Sequence, residues 1–190
     1  MASMTRRTFV ATSGLLAAGA RAASRSELRY AEVEARIARR DFRGITKDDL
    51  GTPAMILELG LFEKNLAAMA AHSKATGLQI RPHVKIHKCP EVSKRQLAVG
   101  ATGVCCATIA ECELMHAHGI RNILWTGQAA GRNKIGRAAA LARRDATFTC
   151  VADDPLTVDW LNDACAAAGS KLNILVDVYA GLTRQGCQPG

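Results

Sequence analysis

Short apolar runs and helix-like stripes alternate along the chain from Thr52 onward, at a spacing of roughly 20 to 25 residues. This rhythm limits the possible folds more than any other feature. Pro53 to Leu59 reads as a strand, and Phe62, Leu66 and Met69 then mark one buried helical stripe that Thr76-Gly77 ends. A second strand begins at Leu78, and Pro90 opens a helix that Gly100 closes. Gly103–Ala107, Asn122–Thr126, Thr147–Val151 and Leu172–Val178 read as further strands. The helices between them carry start signals. Thr108-Ile109-Ala110-Glu111 is a capping-box pattern, and Asp154-Pro155 places an acid before proline, with Val158, Leu161 and Cys165 on the inner face that follows. Repeated βα units of this kind predict a parallel sheet with right-handed crossovers.

The stretch Leu78–Glu91, reading LQIRPHVKIHKCPE, carries the chemistry. Strand alternation predicts Leu78, Ile80, Pro82 and Val84 on one face, with Gln79, Arg81, His83, Lys85 and His87 on the other. Barrel interiors are normally filled by branched apolar side chains, so a polar inward row asks for a ligand, and an anionic one suits these groups. Lys85, at the strand's carboxyl end and crowded by Arg81, His83, His87 and Lys88, is the expected reactive amine. Neighbouring positive charge and partial desolvation both disfavour an ammonium ion. A basic strand end facing solvent is the alternative reading.

RPHVKIHK, preceded by TPAMILELGLFEKNLAAMA and followed by GATGVCCATIAECE, resembles the pyridoxal-phosphate enzymes with an alanine-racemase-type barrel. Within them it is most similar to the D-threonine aldolase and D-serine dehydratase-like group, over about Leu50 to Gly190. The resemblance implies a (β/α)8 TIM-type barrel, of which this chain holds the first part. It implies that Lys85 holds pyridoxal 5'-phosphate by a Schiff base. Arg184 in VDVYAGLTRQG matches the arginine of the family pattern VDVGxxRxG that contacts the cofactor's phenolic oxygen, although this chain carries two extra residues before the glycine. His83 and His87 are cofactor-binding candidates on the inward face, able to orient the cofactor or move a proton. The resemblance further implies a D-amino acid substrate, a homodimer, and a divalent metal whose ligands lie outside this chain. The expected reaction is retro-aldol cleavage of a D-β-hydroxy amino acid. A D-serine dehydratase-like reaction, a racemase of the same fold, a non-catalytic pyridoxal-phosphate carrier and an inactive fragment are the alternatives.

The first 22 residues read as a twin-arginine signal peptide. Thr5-Arg6-Arg7-Thr8-Phe9-Val10 is followed by a modest apolar run and an Ala-Arg-Ala cleavage site at Ala20–Ala22. The run is too short and too rich in small residues to span a bilayer, so no membrane span is expected and the destination is periplasmic. Cleavage there removes three arginines and no acid, lowering the formal charge from +8 to +5. With aromatics at 4% and no basic run interleaved with them, nucleic acid is not an expected partner. Residues 23–50 form an N-terminal extension with a loosely amphipathic helix around Leu28, Val33 and Ile37, and residues 51–190 form the partial barrel domain.

Seven cysteines at irregular spacing, with no CxxC pair, argue against a zinc cluster or a disulfide framework. The Gly127–Lys134 stretch lacks the GK[ST] ending of a phosphate loop. His72, His116 and His118 fall on helices or their ends and are expected at the surface. Five strands counted from that of Lys85 do not close an eight-stranded barrel, so a fragment of a longer protein is expected.

Overall fold

The computed structural model describes residues 30–181 and 184–189. The twin-arginine stretch, the first residues of the extension and Leu28 lie outside the described residues. The chain divides into two compact units at Glu58/Leu59.

The first unit contains α1 (Tyr30–Ala38), with Val33 buried, and a single 3-10 turn at Lys47–Asp49. Asp41 pairs with Arg36 and Arg43, and the Arg43 guanidinium holds its carboxyl well below the usual range. Pro53–Glu58 forms no strand, and Met55 and Ile56 are exposed. A strand exists only where a neighbour accepts its hydrogen bonds, and no pairing strand for this segment occurs among the described residues.

The second unit runs α2 (Leu59–Thr76), α3 (Pro90–Ala98), β1 (Val104–Cys106), α4 (Ile109–Ala117), β2 (Ile123–Trp125), α5 (Arg132–Arg144), β3 (Thr149–Ala152), α6 (Pro155–Ala168) and β4 (Asn173–Val176). The four strands form one parallel sheet in the order β1-β2-β3-β4. The segment before Lys85 extends it on the β1 side. Cys105 N–H donates to Pro82 O at 2.8 Å, and Val84 N–H donates to Cys105 O at 2.9 Å. Residues 80–84 therefore continue the sheet, bridging it at His83↔Cys105. Sequential order with parallel pairing is the arrangement of consecutive βα units in a TIM-type barrel.

Pleat parity decides what is buried. Val84, Val104, Cys106, Ile123, Trp125 and Cys150 face the helices and are at most 1% exposed. They pack with Ile109, Cys112 and Met115 of α4, Ile135, Ala138 and Leu141 of α5, and Leu161 of α6. The opposite row, His83, Cys105, Leu124 and Thr149, is only partly covered. The expected stripe on α2 is narrower than the sequence suggests, since Leu66 is buried but Met69 is half exposed. Val158 on α6 is likewise exposed, while Leu161 and Cys165 are buried. Along the Leu172–Val178 stretch, Leu172 and Ile174 pack against the core, whereas Val176 and Val178 are exposed.

Both helix start signals are realised. Asp154 accepts from the amides of Leu156 and Thr157, with Pro155 in the first turn. Thr108 accepts from Glu111 N–H, but the Glu111 carboxylate reaches one residue further back than a standard box, taking Ala107 N–H at 2.8 Å.

Leu141 is fully buried beneath the sheet. Leu141→Ala is expected to cost about 2–5 kcal/mol in chemical denaturation. Leu114→Ala, on the exposed face of α4, should stay within about 0.5 kcal/mol.

Candidate functional site at the carboxyl ends of the strands

The strand that presents Lys85 ends sooner than its alternation suggests. β1 stops at Cys106, so no partner carbonyl waits beyond Val84. The chain closes a turn over Lys85–His87, with Lys88 N–H donating to Val84 O at 2.8 Å and Lys88 at φ +47°. His87 is therefore not a strand neighbour of Lys85 but part of the same turn.

Lys85 stands exposed on this turn, and its ammonium makes no ion pair or hydrogen bond among the described residues. The basic crowd expected around it is largely dispersed. Arg81 lies at the amino end of the sheet, where its guanidinium donates to Asn122 O at 2.5 Å and Asn122 Oδ1 at 3.0 Å. It ties the 80–84 segment to the start of β2. Lys88 faces the buried Glu111 carboxylate at 3.6 Å, which offsets its charge.

His83 is held at both ring nitrogens. Lys85 backbone N–H donates to Nδ1 at 3.2 Å, and Nε2 lies 3.2 Å from Thr126 Oγ1. Thr126 in turn donates its hydroxyl proton to Cys106 O at 3.1 Å, so Oγ1 accepts from His83 Nε2–H. These bonds specify a neutral imidazole. Burial pushes the His83 pKa below its usual value, the Lys85 charge adds to this, and Glu111 opposes it. His87 accepts Cys89 N–H at Nδ1, while its Nε2 is buried without a partner among the described residues. Burial lowers its pKa as well.

Arg184 follows β4 on the same rim. It is exposed and lines a cavity of about 180 Å³ with Asp177, Val178, Ala180 and Gln185. Its neighbour Gln185 donates through Nε2 to Asp177 Oδ2 at 2.7 Å and to Thr126 O at 3.2 Å. Thr126 is thus where the Lys85 turn and the Arg184 loop meet. Gly127 permits this position, because a Cβ there would lie 2.1 Å from Ala107 O. The loop is further fixed by Gly186 N–H donating to Asp153 Oδ2 at 2.9 Å and by the Val178↔Cys187 bridge. Asp153 also accepts from Gln128 Nε2.

Thr126, Gln185, Asp153 and Asp177 were not singled out as site residues from the sequence. The available signal was positional for Thr126, Asp153 and Asp177, which follow a strand's carboxyl end on the polar parity, whereas Gln185 lies in the loop beyond β4 and carried none. Burial pushes Cys150 up to about 12 and raises Cys105, while a hydrogen bond with Cys106, with burial, raises Cys112. No group of three or more His, Cys, Asp or Glu side chains among the described residues is placed to hold a metal ion. Nor is any described helix long and apolar enough to cross a membrane. His116 departs from the surface expectation, with its Nε2 buried and unpartnered among the described residues.

On the carboxyl rim of this parallel α/β sheet, the Lys85 amine and the Arg184 guanidinium have no ion-pair or hydrogen-bond partner among the described residues. Residues 57–190 match the model of the alanine racemase N-terminal domain, and the chain belongs to that family of pyridoxal-phosphate folds. It is 38% identical over 135 residues to a D-threonine aldolase of an Arthrobacter species, a match covering 71% of this chain and 35% of the relative. A 3-hydroxy-D-aspartate aldolase of Paracoccus denitrificans is 35% identical over 144 residues, covering 75% and 37%. The crystal structure of D-threonine aldolase from Filomicrobium marinum superposes with a TM-score of 0.71 at 41% identity, over 76% of this chain and 39% of that one. The chain spans little more than a third of the length of the relatives it matches.

His83, His87 and His116 all have lowered pKa values. The unfolded chain binds their protons more readily, so stability present above about pH 6.5 should be lost as pH falls through the lowered values. Urea midpoints are expected to drop between pH 7.5 and 5.5; a rise on acidification would contradict the neutral imidazoles. Asp41 and Glu113, also lowered, act only below that window.

Proposed function

We propose that Lys85 carries pyridoxal 5'-phosphate and that the protein is a lyase cleaving D-configured β-hydroxy amino acids to glycine and an aldehyde. The observation that carries this reading is the unpaired Lys85 amine, set on a fixed turn at the carboxyl rim. The described residues fit the cofactor's carbonyl and phenolic end. With no carboxylate beside it among the described residues, Lys85 is free to attack an aldehyde, and the Arg184 guanidinium, without a partner among those residues, suits an anionic oxygen. Bound there, the cofactor supplies an electron sink for cleavage beside the substrate's amino group.

The chain's own groups then divide the work. Lys85 would hold the cofactor through its side-chain amine. Arg184 binds an anionic oxygen of the cofactor, aided by a loop that Gln185 and Asp177 hold in place. His87, with Nδ1 committed to Cys89 N–H, keeps a buried Nε2 that has no partner among the described residues and is the one ring nitrogen left to orient a bound group. His83 has neither nitrogen free and orients the turn instead. Similarity to two aldolases favours carbon–carbon cleavage over water loss or racemisation. By the family resemblance the full protein uses a divalent metal to polarise the β-hydroxyl and pairs as a homodimer, and by its own Arg6-Arg7 signature it is exported to the periplasm.

With pyridoxal phosphate added, the purified protein should turn yellow, and Lys85→Ala should remain colourless. D-threonine should then yield glycine and acetaldehyde, with activity lost on chelation and restored by divalent metal. Colour retained in Lys85→Ala would overturn the cofactor assignment. Export is tested separately. Replacing Arg6 and Arg7 by lysine should leave the protein in the cytoplasmic fraction, and unchanged periplasmic recovery would refute twin-arginine transport.

A further inference from the structure

The side chains on the rim form a continuous chain of hydrogen bonds. It runs from Lys85 backbone N–H to His83 Nδ1, from His83 Nε2–H to Thr126 Oγ1, and from Thr126 Oγ1–H to Cys106 O. The backbone carbonyl of Thr126 accepts Gln185 Nε2, which also donates to Asp177. Each bond fixes the direction of the next. Because Thr126 spends its only proton on Cys106 O, it accepts from His83. His83 must then carry its proton on Nε2 and offer a lone pair at Nδ1, the one atom able to take the Lys85 amide. That amide lies in a turn, with no ladder partner of its own, since β1 ends at Cys106.

We propose that His83 and Thr126 are positioning residues: a neutral His83, clamped between the Thr126 hydroxyl and the Lys85 amide, sets the direction in which the Lys85 amine is presented, and Thr126 ties that turn to the Arg184 loop through Gln185. The proposal rests on the reading of Lys85 as the cofactor amine. It assigns His83 no proton transfer, because both of its nitrogens are committed. Thr126 acts without needing contact with any ligand. Its hydroxyl serves the Lys85 side and its carbonyl the Arg184 side, so one residue at the end of β2 sets two loops that the sheet order keeps four strands apart.

Thr126→Val keeps the shape and removes the hydroxyl, whereas Thr126→Ser restores it. In the full-length protein, Thr126→Val should slow the appearance of yellow absorbance on mixing with pyridoxal phosphate by roughly tenfold, as expected when a reacting group is misplaced by a fraction of an ångström. Amide hydrogen exchange at Lys85 should accelerate alongside. Thr126→Ser should return both to near the native values. In the unmutated protein, nitrogen-15 NMR at neutral pH should find His83 protonated at Nε2 and bare at Nδ1. Native capture rate and native exchange in Thr126→Val would overturn the proposal, as would an Nδ1–H tautomer. If the native protein never turns yellow, the cofactor reading alone fails, and the exchange and NMR results still decide the positioning role.

Discussion

The constraint beneath everything else is the two-residue pleat of a parallel sheet covered by helices on one face. Burying Val84, Val104, Ile123 and Cys150 under α4 to α6 leaves no choice about the other parity. His83, Cys105, Leu124 and Thr149 must point away from the helices, and residues of the same parity further along the strands must project at the carboxyl rim. Lys85, Thr126, Asp153 and Asp177 follow from this spacing. A one-residue slip would exchange the core for the site. The amino ends are stitched separately, by Arg81 on Asn122, by Asn122 N–H on Thr147 Oγ1 and by Thr147 on Asp145. The sheet thus has a locked end and a chemical end.

At the chemical end the electrostatics differ from a simple basic cup. Lys88 answers to Glu111, Arg81 belongs to the opposite end, and both imidazoles near Lys85 are kept neutral by burial. What remains among the described residues is the unpaired Lys85 ammonium, the unpaired Arg184 guanidinium and the Asp177 and Asp153 carboxylates, occupied by Gln185, Gln128 and the Gly186 amide. Such a rim can take an anionic, carbonyl-bearing ligand without first breaking an ion pair, which would otherwise oppose binding.

Period and punctuation made the fold legible. The strands around Ile123 and Cys150, the Asp154-Pro155 helix start and the Thr108 cap on Glu111 N–H all carry their own physics and appear as expected, although the Glu111 carboxylate turns to Ala107 N–H. The failures have a common cause. Pro53–Glu58 reads as a strand by composition, but strand structure depends on a partner that composition does not specify. His87 follows the alternation on paper, but β1 runs out of carbonyls before the strand reaches it. Thr126, the junction of the site, carried no sequence signal beyond its place at the end of a strand. Its role arises from contacts 43 and 59 residues away along the chain, which a local reading cannot reach.

Reductive trapping tests the central claim most directly. The purified full-length protein is mixed with pyridoxal phosphate, reduced with borohydride, digested and mapped by mass spectrometry. The account requires a single stable pyridoxyl addition on the peptide containing Lys85, at that side chain, while Lys88 three residues on remains unmodified. Addition at Lys88 instead, or labelling scattered over surface lysines with no preference for Lys85, would contradict it.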